Sequence, residues 1–214
     1  MEQSSSMKQP QGFTGLVGKA HETMVFERRV LVLIETLSAQ MPSKASLLDV
    51  GTGDGQIAKA IAERANCSEV RGMDVMVRPH THIPVDVFDG TRLPLEDKSV
   101  DVVTFVDVLH HTEDPFVLLS EAARVARQAV ILKDHLSENL LDHTTLRLMD
   151  WVGNAPHGVV LPYNYASRAT WMDWFDKAGL DIANFETSIP LYPAPLSWIF
   201  GRKLHFVARL SPLV

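Results

Sequence analysis

The sequence predicts an α/β protein built on a mostly parallel sheet with crossover helices. Three observations predict it. Short apolar, β-branched runs alternate with helical stretches along most of the chain. The longest run, Val100 to Val108, is nearly continuous rather than alternating, as expected for a strand covered on both faces. Glycines or acids follow the ends of three successive runs, at Gly51, Asp74 and Asp89. Strands that alternate with helices pair in parallel, because each crossover helix returns the chain to the same end of the sheet.

Taken in order, residues 1–11 are polar, with a Ser triplet and Pro10, and read as a disordered start. From Gly12 to Gln40, Val25, Phe26, Val30, Leu33, Ile34 and Leu37 recur at helical spacing on one face, and Met41-Pro42 ends that helix. Residues 12–44 thus form a helical cap. Ser46 to Val50 is a buried strand, Asp54 to Arg64 a helix, and Val70 to Val75 and Val85 to Phe88 the next two strands. Only 76–84, with two prolines, connects that pair, so an extended loop is expected rather than a helix. Asp114-Pro115 starts a helix to about Arg127, with Asp as N-cap and Pro at the first helical position. Ala129 to Leu132 is a fifth strand. Residues 138–150 are compatible with a helix, and 151–166, rich in Gly, Pro, Asn and aromatics, with a loop. Ser167 caps a helix that stops at Gly179, and two last strands, near 181–188 and 204–210, flank a Pro-rich loop. With no repeat and no linker, 12–214 reads as a single domain: a core at 45–135, a lid at 136–166, and a helix with a strand pair at 167–214.

Composition narrows the function classes. The 20 Lys and Arg against 26 Asp and Glu leave a net charge of -6, with no basic stripe, so nucleic acid is not an expected partner. The single cysteine, Cys67, excludes an internal disulfide and a cysteine-based zinc cluster. No apolar run approaches a membrane span and the N-terminus lacks a signal-peptide core, so a cytoplasmic protein without integral membrane contact is expected.

The most informative stretch is LLDVGTGDG, residues 47–55. A strand runs into Gly51-Thr52-Gly53, and a helix follows. Glycines there permit a tight turn and let a ligand approach the backbone, at the strand end where open α/β sheets bind ligands. Asp74, in GMDV, ends the second strand, where a carboxylate can accept both hydroxyls of a ribose. Asp89-Gly90 closes the third, where an acid can meet an adenine amino group. Each alone is equally an ordinary turn residue; their joint occurrence is far more specific. A dehydrogenase also uses such a turn, but its G-x-G-x-x-G/A pattern needs a small residue where Gln56 stands.

Together with FDGTRLPLEDKSVDVVTFVDVLHHTEDP and AVILKDH, these motifs resemble class I S-adenosylmethionine-dependent methyltransferases, nearest the small-molecule "type 11" or UbiE-like subgroup, over about residues 45–135. The resemblance implies a Rossmann-like three-layer sandwich, a mostly parallel seven-stranded sheet with one antiparallel strand. It implies S-adenosylmethionine as cofactor and a small molecule as methyl acceptor, with a monomer or homodimer as the assembly. It places Gly51 and Gly53 beneath the methionine part, with Asp49 orienting that turn or the amino group. Asp74 holds the ribose, Val75 and Met76 lie against the adenine face, Asp89 faces the adenine amine with Gly90 beside it, and backbone near Val106 receives the ammonium. A domain that binds the cofactor without turnover is the other class in play.

Methyl transfer from a sulfonium needs a base only when the acceptor must lose a proton, and histidine suits that task. His110 and His111 follow the fourth strand. His110 reads as a packed core imidazole, and His111 as better placed to face the cleft. His135, ending the fifth strand, is the second candidate base. Strand alternation turns Asp134 and His135 to opposite faces. His143 and His157 lie in the covering segment, and Trp151 to Tyr165 mixes rings and amides as small-molecule sites do. Pro195 to Phe200 is a second apolar tip. His80-x-His82 reads as a polar surface pair, so no metal is expected.

Overall fold

The structure is a computed structural model and describes residues 27–154 and 163–213. The expected disordered start, Val25, Phe26, His157 and the middle of the expected lid lie outside the described residues.

The first helix, α1, is described over 27–38. Then follow β1 (Ser46–Val50), α2 (Gln56–Ala65), β2 (Glu69–Asp74), β3 (Val85–Val87), β4 (Val100–Val106), a 3₁₀ turn (Leu109–His111) and α3 (Pro115–Val125). The remainder is β5 (Ala126–His135), α4 (Leu140–Asn154), α5 (Arg168–Lys177), β6 (Leu180–Glu186), α6 (Ser197–Phe200) and β7 (His205–Pro212). The seven strands form one sheet in the order β3-β2-β1-β4-β5-β7-β6. Strands β1 to β5 pair in parallel, and β7 runs antiparallel between β5 and β6. This is the mostly parallel sheet with one antiparallel strand that the sequence predicts.

Two apolar layers sandwich the sheet. Leu33 and Leu37 of α1 and Ile61 of α2 pack with Leu47, Val102, Ile131 and Val207 on one face. Leu118, Leu119 and Ala122 of α3 and Trp171 and Phe175 of α5 pack with Leu48, Val50, Phe105 and Phe206 on the other. Full burial of one such aliphatic or aromatic side chain is worth roughly 1.5–3 kcal/mol, against ~1 kcal/mol for a helix cap, so packing holds the helices and caps set their ends. Both expected caps form: Asp114 accepts from the Phe116 amide at 3.0 Å, and Ser167 from the Thr170 amide at 3.2 Å.

Two expectations shift. Strand β5 is longer at both ends than its apolar centre, because its polar ends find partners. Arg127 and Gln128 bond Asp101 at 3.0 and 2.9 Å, and the far end carries buried Lys133, Asp134 and His135. Helix α4 runs to Asn154, four residues into the segment read as a loop. The connection from β2 to β3 is the expected extended loop, pinned beneath the glycine turn by the His82 amide on the Asp54 carbonyl at 2.7 Å.

Candidate active site

The glycine turn is built by backbone that only glycine adopts easily. Gly51, Gly53 and Gly55 have φ of 73, 61 and 77°. The Gly51 amide donates to the Met73 carbonyl at 2.7 Å, tying the turn to β2. A Cβ at Gly51 would stand 2.5 Å from the Val108 side chain, while one at Gly53 would meet nothing within 4 Å. The turn is thus packed on its inner side and open at Gly53.

Asp74 closes the other side. Its Oδ2 accepts from the Gly53 amide at 2.8 Å, and its Oδ1 from the Met76 amide at 3.1 Å. These bonds leave further lone pairs on both oxygens. Beside it, Val75 and Met76 are 62% and 55% exposed, an apolar lip at the edge of the sheet. Val75 also lies against Gly90, whose φ is 83° and where a Cβ would come within 3.2 Å. Asp89 receives the Thr91 amide and hydroxyl and the Arg92 amide, each at 2.8 Å on Oδ1. Those bonds hold its carboxyl below the usual carboxylate range.

Asp49 lies deeper. It is buried in β1 opposite Thr104 of β4, whose hydroxyl donates to it at 2.5 Å. Burial pushes its carboxyl up to about 6, against the hydrogen bonds to it. The turn's own amides go to Met73 and Asp74, while the side chains of Thr104 beside Asp49 and of Thr52 in the turn both favour its carboxylate. Val106, half-buried, ends β4 beside Lys133 of β5.

The C-terminal ends of β4 and β5 carry a polar cluster, of which the sequence reading singled out the histidines and Asp134 but not Arg29, Asp107, Lys133 or Asp150. Asp107, at a φ of 58°, forms an ion pair with Lys133, with Arg29 of α1 at 4.0 Å. Burial opposes ionisation of Asp107, but Lys133, His135 and Arg29 together hold it well below the usual range. Asp134 accepts from His110 Nδ1 at 2.7 Å, from the Leu109 amide at 3.0 Å and from the His135 amide at 2.8 Å. Asp134 and His135 therefore both converge on His110, against the alternation expected of a strand. His110 Nδ1 also lies 3.4 Å from His135 Nδ1.

His110 sits on the 3₁₀ turn rather than in the strand and is 1% exposed. His111 packs on it with ring centroids 3.9 Å apart. Burial and the neighbouring His110 push His111 down from its ordinary value. Burial, Lys133 and His110 push His135 down to about 4. From α4, Asp150 approaches the same place, 3.5 Å from His110 Nε2, and accepts the Tyr165 hydroxyl. Asn164 locks the segment to the turn, its amide on the His110 carbonyl at 3.2 Å and its side chain on the Thr112 carbonyl at 2.6 Å. The signal for this cluster was a charged tripeptide, Lys133-Asp134-His135, ending an otherwise apolar strand. Nothing local marked Asp150, which a separate helix delivers. His80 and His82 are exposed and remote from these groups in the chain. A cavity of about 390 Å³ lies at the opposite end of the sheet, among Ser46, Asp101 and Arg127, away from all of them.

The glycine turn after β1 and the acid at the tip of β2 lie in the part of the chain that is similar to a known family. Residues 48–132 match the methyltransferase domain family. The chain is 29% identical over 121 residues to 27-O-demethylrifamycin SV methyltransferase of Amycolatopsis mediterranei, covering 50% of this chain and 44% of that protein. It is 34% identical over 101 residues to ribosomal RNA-processing protein 8 of Caenorhabditis briggsae, covering 47% and 28%. The chain thus spans less than half the length of these curated relatives. Among solved structures, the complex between the Haloferax volcanii Trm112 methyltransferase activator and a methyltransferase matches with a TM-score of 0.69 at 16% identity, over 92% of this chain and 95% of that one. An S-adenosylmethionine-dependent methyltransferase from Mesorhizobium loti matches at 0.61 and 17% identity, over 83% and 96%.

Proposed function

We propose that the chain transfers a methyl group from S-adenosylmethionine to a small-molecule acceptor. The observation that carries this reading is the joint between Gly53 and Asp74. One carboxylate braces an open glycine turn and keeps lone pairs for a neighbouring diol. The residues present fit the cofactor. Gly51 and Gly53 leave backbone bare for the methionine part, Asp74 accepts the ribose hydroxyls, and Val75 and Met76 offer an apolar face to the adenine. Asp89 and Gly90 flank the amino edge of that ring, the end of β4 near Val106 receives the ammonium, and Asp49 lies beneath it.

S-adenosylmethionine supplies an electrophilic methyl group on a sulfonium. The chain's own task is to position the acceptor in line, exclude water and, where a proton leaves, receive it. His111 stands nearest that task, because its Nδ1 has no hydrogen-bond partner among the described residues. His135 lies behind it and is the second candidate. The formal charge of -6 favours a small acceptor over RNA, although one relative is named for ribosomal RNA processing. We place the protein in the cytoplasm, as a monomer or homodimer; no helix among the described residues is long and apolar enough to cross a membrane.

Calorimetry and thermal melts test the cofactor. S-adenosylhomocysteine should bind and raise the Tm, because a ligand of the native state alone stabilises it by mass action. NAD should do neither. The reverse pattern removes the proposal, and binding without turnover across a broad acceptor panel replaces it with a regulatory, cofactor-sensing domain.

A further inference from the structure

We propose that His110 Nε2, His111 Nδ1 and Asp150 Oδ2 form a binding site for one divalent transition-metal ion of the zinc type, at the acceptor end of the sheet. One ring nitrogen of each histidine and one Asp150 carboxylate oxygen lie within 4.8 Å of one another. His110 Nε2 and His111 Nδ1 are buried and have no hydrogen-bond partner among the described residues. Buried polar nitrogens without partners are uncommon and call for a water, a ligand or an ion.

The hydrogen bonds around His110 say what kind of ligand. Asp134 takes the Nδ1 proton at 2.7 Å, so the neutral ring presents a bare lone pair at Nε2. That lone pair faces Asp150 Oδ2 at 3.5 Å, so two acceptors confront each other. The bare Nε2 therefore calls for a proton or a cation. A second proton on His110 is one answer: burial opposes it, but the carboxylates Asp134, Asp107 and Asp150 outweigh burial and raise the His110 pKa above its ordinary value. But 3.5 Å is well beyond the ~2.7–2.9 Å of a charge-assisted bond. It is close to the separation of two ligands held at ~2.0–2.2 Å by one tetrahedral ion. A proton would also leave the second bare nitrogen, on His111, unanswered. One ion answers both nitrogens.

The surroundings are those of a metal site. A metal-bound imidazole usually gives its other N–H to a carboxylate, which fixes the tautomer and ring plane. Asp134 does this for His110, and is itself held by the Leu109 and His135 amides at 3.0 and 2.8 Å. Tyr165 orients Asp150 through its hydroxyl. Two imidazoles and a carboxylate suit zinc, cobalt or manganese. The other trio in reach, His110 Nδ1, Asp134 and His135, is already joined by hydrogen bonds and lies beside the Lys133 cation, which disfavours a second positive charge. The ion's place beside His111 gives it a role that rests on the methyl-transfer reading. With the ion bound, His111 would hold it instead of serving as the base, and an acceptor hydroxyl on the ion would release its proton to water before the methyl group is transferred.

The test is run on tag-free full chain, after chelation, without cofactor or acceptor, so its outcome is independent of the S-adenosylhomocysteine result. Zinc titrated by calorimetry should bind one equivalent and raise the Tm. Cobalt should give the intense visible bands of a four- or five-coordinate site, a measurement on the unaltered protein. Asp150→Asn and His111→Gln should each weaken zinc at least ten-fold, and His82→Ala should leave it unchanged. No saturable zinc binding, a weak octahedral cobalt spectrum, or loss of binding in His82→Ala rather than Asp150→Asn overturns the proposal. So does an NMR finding that His110 carries both ring protons at neutral pH in zinc-saturated protein.

Discussion

Asp49 ionises at a cost. Its carboxyl is buried between β1 and β4 with the Thr104 hydroxyl on it, and burial raises its pKa from the ordinary 3.8 to about 6. The folded protein therefore holds this proton more tightly than the unfolded chain. Stability from this group is full below pH 4 and is lost as the pH rises through about 6. The loss amounts to about 2–3 kcal/mol. Asp49→Asn cannot ionise. Urea melts should show its stability relative to wild type improving by about that much between pH 4 and pH 8, and a pH-independent difference would refute the assignment. Asp74, by contrast, sits at the tip of β2 and acts outward. Replacing it with Ala removes an acceptor worth roughly 1.5–3 kcal/mol to a bound diol. S-adenosylhomocysteine affinity should fall by about ten- to a hundred-fold with a small change in Tm.

At the scale of elements, the glycine turn separates two jobs that its sequence runs together. Gly51 and Gly53 both have left-handed backbone, which costs a substituted Ala roughly 1–2 kcal/mol. Only Gly51 also meets a neighbour, Val108 at 2.5 Å. Gly51→Ala should therefore lower both stability and cofactor binding. Gly53→Ala should cost about the backbone strain alone yet abolish binding, because its new methyl group enters the open side of the turn. Denaturant melts set beside calorimetry for the two variants check this. The same contrast shows what the sequence made legible. Strands β1, β2 and β4 and the Asp114 and Ser167 caps could be read, because apolar runs and cap residues are local signals. The ends of β5 and the reach of Asp150 could not, since Arg127 and Gln128 are strand residues only through Asp101, 26 and 27 positions away. Asp134 and His135 were expected to diverge and instead both reach His110, which sits on the turn after β4 and not in a strand.

For the molecule as a whole, the charge balance sets what the surface attracts. A net charge of -6 without a basic stripe offers few phosphate contacts, and such contacts supply most non-specific affinity for nucleic acids. Fluorescence anisotropy with single-stranded and duplex RNA at 50 mM and 200 mM salt should show no binding tighter than the ~10⁻⁴–10⁻⁶ M non-specific range. A tighter, steeply salt-dependent isotherm would move the acceptor class to RNA.

The strand order β5-β7-β6 carries a consequence for synthesis. Strand β6 leaves the ribosome before β7, yet among the described residues its ladder partner is β7, which also covers the edge of β5. Until Phe206, Val207 and Ala208 emerge, the nascent chain presents the β5 edge and an unpaired β6, each a template for pairing with another chain. A ribosome stalled inside the loop between β6 and β7 should therefore hold an aggregation-prone intermediate, with chaperone occupancy greatest there and falling once β7 slides between its two neighbours.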